Sequence, residues 1–239
     1  MLNSWRALLK APALPFVLQH LQPYDAPSLE VLRQQQLVTL SLPGTGYGTA
    51  IDLGDPASPL GAVHFRNKQA GGERLAVAIR ALWGDASVGA TYPPPAFLTQ
   101  ATYFDSSNAS TPGLAQYTAV VAFFRPPGLA RGGTPTLPLT LAPPPPCPLG
   151  SNCTCFEILG SNGGVYAANA TLTADSLGLM LTAVGPATEY PVGTAYAWSA
   201  WPLIALFGPG GMPVLPWSQN LIMAGPPGPP PRSPTTFIA

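Results

Sequence analysis

The stretch "IDLGDPASPLGAVHFRNKQAGGERLAVAIRALWG", residues 51–84, decides how the first third of this chain is read. It runs from an apolar pair through a loop rich in Pro and Gly into a helical pattern. Leu75, Ile79, Leu82 and Trp83 recur at helical spacing, with Glu73, Arg74 and Arg80 towards the edge of that face. Asn67 is placed to cap the helix and Gly84 to stop it. Gly71 and Gly72 weaken the helix by roughly 1 kcal/mol each relative to alanine, which suggests close packing there. The stretch also holds Asp52, Asp55, His64, Arg66 and Lys68, in a chain with only 8% charged residues. Such a concentration fits either an active-site loop or a polar loop leading into a surface helix.

Working outward, "LPFVLQHL" (14–21), "LVTLSL" (37–42) and "TAIDL" (49–53) are strand candidates. "SLEVLRQQQ" (28–36) is a helix candidate, capped by Ser28 and with Glu30 in its first turn. Residues 1–88 thus alternate α and β. Beyond them, "YTAVVAFF" (117–124), "TPTLPLTL" (134–141), "CFEILG" (155–160), "GVYAANATLTA" (164–174) and "LGLMLTAV" (177–184) are short apolar runs punctuated by Gly, Pro, Asn and Ser. That pattern predicts a β-sandwich. The expected division is an α/β part (1–88), a β-rich part (89–224) and a Pro/Gly-rich tail (225–239).

Composition narrows the function classes. Ten basic and ten acidic residues leave no formal net charge, so neither nucleic acid nor an acidic partner is expected. No apolar run is long enough without Pro or Gly to cross a membrane, and no membrane partner is expected. The opening "MLNSWRALLKAPALPFVLQHL" is broken by prolines and reads as mature protein, not a signal peptide. With His20 and His64 the only histidines, no metal site and no cofactor are expected. Cys147, Cys153 and Cys155 are odd in number; two can pair locally, leaving one over. Sequons at Asn108, Asn152 and Asn169 point to a glycoprotein of the secretory pathway.

His64 follows a strand, a long loop and Asp52. In open α/β sheets reactive groups gather beyond the carboxyl ends of strands. A histidine there can act as a general base, with a carboxylate fixing its tautomer. Asp52 and Asp55 are the acids that precede it on the same stretch.

Together these residues resemble the sialate O-acetylesterase family. The family's Asp-Leu-x-Asp, Ser-Pro and His-x-Arg-x-Lys-Gln pattern falls on Asp52, Asp55, Ser58, Pro59, His64, Arg66, Lys68 and Gln69, followed by Arg74 and Leu75. "WRALL" and "LPFVLQHLQPY" are similar to its upstream segments, "AYAWSAWP" (195–202) to its Tyr-Ala-Trp-x-x-Trp-Pro motif, and "GGMPVLPW" (210–217) to its ending. Phe65 and Asn67 stand where the family has Pro and Asp, and Leu203 where a cysteine often follows Trp-Pro, which implies one disulfide fewer.

The resemblance implies the C-terminal part of a three-layer SGNH hydrolase domain followed by a β-sandwich-like domain. It also implies a carboxylic ester hydrolase that removes O-acetyl groups from sialic acids or related sugars. A serine attacks the acetyl carbonyl, His64 takes its proton and N–H groups hold the oxyanion. Arg66 and Lys68 are candidates for binding the substrate's carboxylate. The third member of the triad is left open between Asp52, Asp55 and a Ser–His dyad without an acid.

The family's Gly-Gln-Ser-Asn nucleophile block does not precede His64. The "LGSN" copies at 149–152 and 159–162 follow it, so Ser151 and Ser161 read as turn residues. The chain is therefore expected to be an incomplete or inactive esterase by itself. The alternatives are a non-catalytic glycan-binding or structural module and, more remotely, a Pro-rich scaffold. Trp198 and Trp201 are read as buried aromatics of the sandwich core in preference to a sugar platform.

Overall fold

The computed structural model describes residues 1–88, 96–99, 104–108, 111–124, 138–146 and 154–220. The first part contains α1 (Leu2–Leu8), β1 (Phe16–His20), α2 (Leu29–Leu37), β2 (Thr45–Thr49) and α3 (Lys68–Leu82). β1 and β2 pair in parallel, Phe16 opposite Thr45 through His20 opposite Thr49, with α2 in the crossover between them. Both strands point their carboxyl ends at the loops 21–28 and 50–67.

The helix at 68–82 follows its local signals. The Asn67 side chain accepts a hydrogen bond from the Ala70 N–H at 3.1 Å, and Gly84 turns out of it with φ of +85°. Its inward face differs from the expected one. Gly71 and Ala78 are buried, Leu75 and Ile79 are half-buried, and Trp83 is 72% exposed. Gly71 receives the Phe65 ring, whose nearest carbon is 3.3 Å from where a side chain would begin. Gly72 faces open space.

Two strand expectations are corrected. Residues 38–41 continue α2 as a 3₁₀ turn, and the Thr45 hydroxyl donates to the carbonyls of Thr39 and Leu42, closing that turn. The strand expected at 49–53 instead occupies Thr45–Thr49. Its "TGYGT" sequence hides it, because Gly48 is there for contact and not for strand propensity. A side chain on Gly48 would begin 2.9 Å from the Leu75 nitrogen of α3, so the helix lies directly on the strand backbone. Ser28 precedes α2 in a left-handed conformation with φ of 58°, and its side chain makes no cap.

The remainder contains β3 (Ala96–Thr99), β4 (Phe104–Asn108), β5 (Leu114–Phe124), β6 (Thr140–Leu141), β7 (Phe156–Gly160), β8 (Val165–Ala167), β9 (Asn169–Leu172), β10 (Gly178–Pro186), β11 (Pro191–Tyr196), β12 (Leu206–Phe207) and β13 (Trp217–Asn220). One sheet runs β3-β5-β10-β9 with β4 also on β5; another runs β13-β11-β7-β8; β12 and β6 form a small third pair. Alternation builds the inner faces: Leu179, Leu181 and Ala183 of β10 are buried while Met180 and Val184 are exposed. Tyr117 and Val121 from one sheet meet Phe156, Ile158 and Tyr196 from the other in one cluster. Tyr196 stacks on Phe156 with centroids 4.8 Å apart and lies the same distance from Trp217. Its hydroxyl oxygen accepts the N–H groups of Ala205 and Leu206.

The chain is mixed α/β, dominated by sheets. Ile51, from the loop after β2, is fully buried in the same cluster as the β-rich part. Ser161 lies in the turn between β7 and β8, as expected of a turn residue. Ser151, Cys147, Cys153 and the tail fall outside the described residues. Cys155 is a free thiol that donates to the Leu203 carbonyl at 3.3 Å, and burial pushes it up to about 11.

Gly48→Ala should destabilise the fold by about 1–3 kcal/mol, since the added methyl meets helix backbone that cannot rotate away. A denaturant titration against the native chain measures this. Gly72→Ala is the control, with open space at that site, and should be neutral or stabilising.

Candidate functional site

The loop after β2 delivers the predicted residues to the carboxyl end of the parallel pair. Asp52 leaves the strand first and forms a two-pronged pair with Arg74 of α3: Nη1 to Oδ1 at 2.5 Å and Nη2 to Oδ2 at 2.8 Å. Arg74 Nη1 also donates to the Thr49 carbonyl at 2.8 Å, so strand end and helix are clamped together. Asp55 forms a second fork with Arg66, which donates through Nε and, at 2.8 Å, through Nη2. That hydrogen-bonded guanidinium holds the Asp55 carboxyl below its ordinary value. Paired forks of this kind are the strong form of the Arg–carboxylate contact.

His64 is exposed at the end of the turn 61–64. Among the described residues its ring makes no hydrogen bond, and neither Asp52 nor Asp55 is bonded to it. The structure therefore brings the two acids to the histidine's loop but gives both to arginines. Its backbone, by contrast, is fixed. Ser58 Oγ donates to the His64 carbonyl at 2.6 Å, and Gln22 Nε2 donates to the Val63 carbonyl at 2.6 Å. The next residue, Phe65, is buried. Lys68 sets its ammonium 3.6 Å from the centroid of the Phe65 ring, a cation–π contact. Arg66 and Lys68 thus both lie beside His64 in the chain, one neutralised by Asp55 and one over an aromatic face.

Sequence reasoning missed three residues here. Gln22 is one. His20, at the end of β1, is 1% exposed and shares a 3.1 Å hydrogen bond between Nδ1 and the Thr49 hydroxyl. Burial, with the nearby Arg33 charge adding to it, pushes His20 down to about 3, so it is neutral at physiological pH. Arg33 of α2 is only 2% exposed and donates to the carbonyls of Leu21, Gln22, Ser199 and Ala200. The single signal for it was a lone cation in a helix otherwise short of charge, which does not separate a buried arginine from a surface one.

Trp201 is buried, but outside the sandwich cluster expected for it. Its ring lies against Gly54, which Pro23 also approaches, where the β-rich part meets the loops of the α/β part. Asp52, Gly54 and Trp201 share the lining of a cleft of about 430 Å³ with several prolines, and His64 is not among its lining residues. Among the described residues, no three His, Cys, Asp or Glu side chains converge on a point where a metal ion could be held.

The chain matches no protein-family model and no curated protein. Among solved structures it is similar to a carbohydrate acetylesterase from Xanthomonas citri, at 26% sequence identity and a TM-score of 0.65. The likeness covers 92% of this chain and 44% of that one, so the chain spans less than half the length of that enzyme. A carbohydrate acetylesterase as structural neighbour supports the broad esterase resemblance in the sequence.

The buried histidine sets a pH dependence. Unfolded, His20 takes a proton near its ordinary value of 6.5; folded, it resists protonation down to about 3. The unfolded state binds more protons between these values, so stability is complete above pH 6.5 and falls as pH drops through that window. Urea midpoints should decline from pH 7 to pH 5. In His20→Gln, which cannot titrate, that decline should largely vanish, whatever the variant's stability at pH 7.

Proposed function

We propose that this chain carries the histidine-bearing part of a carbohydrate acetyl-ester hydrolase site, with His64 as its general base. The observation that carries this reading is an exposed histidine whose flanking backbone is pinned by buried polar side chains, at the carboxyl end of parallel strands, in a fold similar to a carbohydrate acetylesterase. The chemistry follows from the group. A serine hydroxyl attacks the acetyl carbonyl while the imidazole accepts its proton. N–H donors hold the tetrahedral oxyanion, the sugar hydroxyl departs with the proton returned by the imidazole, and water activated by the same nitrogen releases acetate.

The serine must come from polypeptide other than residues 1–63, which hold no Gly-Gln-Ser-Asn block. O-acetylated sialic acid is the substrate we favour, on the strength of the sequence blocks at 52–75 and 195–202. Within that reading Lys68 is the better candidate for the substrate's carboxylate. Arg66 already spends two donors on Asp55, whereas Lys68 has no carboxylate partner among the described residues. For Asp52 or Asp55 to orient His64, its arginine fork has to open; the arrangement seen suits a Ser–His dyad. The exposed sequon at Asn169, with Thr171 also exposed, supports a secretory-pathway protein. The second reading, a non-catalytic glycan-binding module, draws on the lack of any bond to the His64 ring among the described residues.

The two readings part on one comparison. The 5′ end of the native transcript is translated, the protein it encodes is expressed, and acetate release from O-acetylated sialic acid and from acetylated monosaccharides is followed. His64→Ala should lower kcat by about a thousandfold or more with the fold intact. Hydrolysis that survives this substitution, or a transcript encoding no serine block, would rule out the esterase reading and leave the binding module.

A further inference from the structure

The turn that presents His64 is shaped by a local bond, from its own N–H to the Gly61 carbonyl at 2.9 Å. That bond does not tie the turn to the body of the protein. Gln22 and Ser58 do. Each is only 9% exposed, they come from the loops after β1 and after β2, and they grip the consecutive carbonyls of Val63 and His64, both at 2.6 Å. With Phe65 buried against Gly71, the backbone is held before, at and after the histidine, leaving mainly its side-chain rotation free.

Gln22 is itself held from behind. Its carbonyl accepts Arg33 Nη2 at 2.8 Å, and the same nitrogen donates to Ala200 at 2.7 Å while Nη1 donates to Ser199 at 2.9 Å. The Tyr24 N–H adds a bond to the Ala200 carbonyl at 3.3 Å. An unbroken series of hydrogen bonds and one residue's covalent frame therefore joins the Trp198–Trp201 loop of the β-rich part to the peptide next to His64.

We propose that Gln22 is a positioning residue for His64, and that the loop at 199–200 braces the histidine through Arg33 and Gln22. Buried amide and hydroxyl donors aimed at loop carbonyls do what side chains of similar size without donors cannot. They fix where a base stands before substrate arrives, so that no ordering is left to the reaction step. The catalytic consequence rests on the reading of His64 as a base; the mechanical one does not.

Gln22→Met keeps the length of the side chain and removes its donor; Ser58→Ala removes the hydroxyl and Ser58→Thr keeps it. Amide hydrogen exchange and the His64 ring resonances are followed by NMR in the full chain. Gln22→Met and Ser58→Ala should each speed exchange at the His64 amide about tenfold, as expected for the loss of one hydrogen bond. The Tyr47 and Ala78 amides should stay at their native rates, and Ser58→Thr should restore protection. Native exchange at His64 in Gln22→Met would overturn the proposal. Arg33→Lys, which cannot reach all four carbonyls, should loosen the same amide, with no further loosening in the double variant with Gln22→Met. Additive loosening would remove the β-rich part from the proposal.

In a form of the protein that hydrolyses acetylated sugar, Gln22→Met should lower kcat with KM unchanged. If His64→Ala leaves hydrolysis intact, the base assignment fails while the exchange result stands. If exchange is native in Gln22→Met, positioning fails while His64 can still be the base.

Discussion

The arrangement of this molecule turns on one buried guanidinium. Arg33 has almost no contact with water and takes no carboxylate as a close hydrogen-bonded partner among the described residues; four backbone carbonyls receive its N–H groups. Desolvation pushes it down to about 10, which still leaves it charged at neutral pH. Burying a charge is costly unless every donor is satisfied, and here satisfaction requires two distant pieces of chain. Leu21 and Gln22 come from the exit of β1, Ser199 and Ala200 from the β-rich part. The cation can stay buried only if those pieces meet, so it ties the relative placement of the two parts to its own solvation.

Close packing completes what that arginine starts. Gly54 lets Pro23 and the Trp201 ring approach its backbone, and Gly48 lets α3 lie on β2. Ile51 enters the sandwich cluster from the same loop that carries Asp52, Asp55 and His64. The histidine loop is therefore built from both sides: one end buried in the β core, the other pinned to α3 through Phe65 and the Asn67 cap. The two arginine–carboxylate forks belong to this construction. They consume both acids of the His64 loop and make Asp52 and Asp55 supports of that loop in place of partners to the imidazole.

Much of this was legible in the chain itself. Asn67 and Gly84 marked the limits of α3, since caps and positive-φ glycines act within a few residues. The apolar run at 177–184 announced a strand, while the exposure of Met180 and Val184 on its outer face came only with the structure. The charge gathered between Asp52 and Lys68 marked the loop that holds the candidate site. What the sequence could not disclose is long-range. "LVTLSL" looks like a strand, yet Thr45 folds it into a turn. "TGYGT" does not look like one, yet it is, because its glycine serves a helix nearly thirty residues away. The partners of Arg33 lie up to 167 residues from it, and nothing local marks Gln22 as the residue that grips Val63. Periodicity and caps report on neighbours in sequence, so they determined α2, α3 and the loop that holds the histidine. Which carbonyl satisfies which buried donor depends on which surfaces meet, and that was decided by the tertiary structure alone.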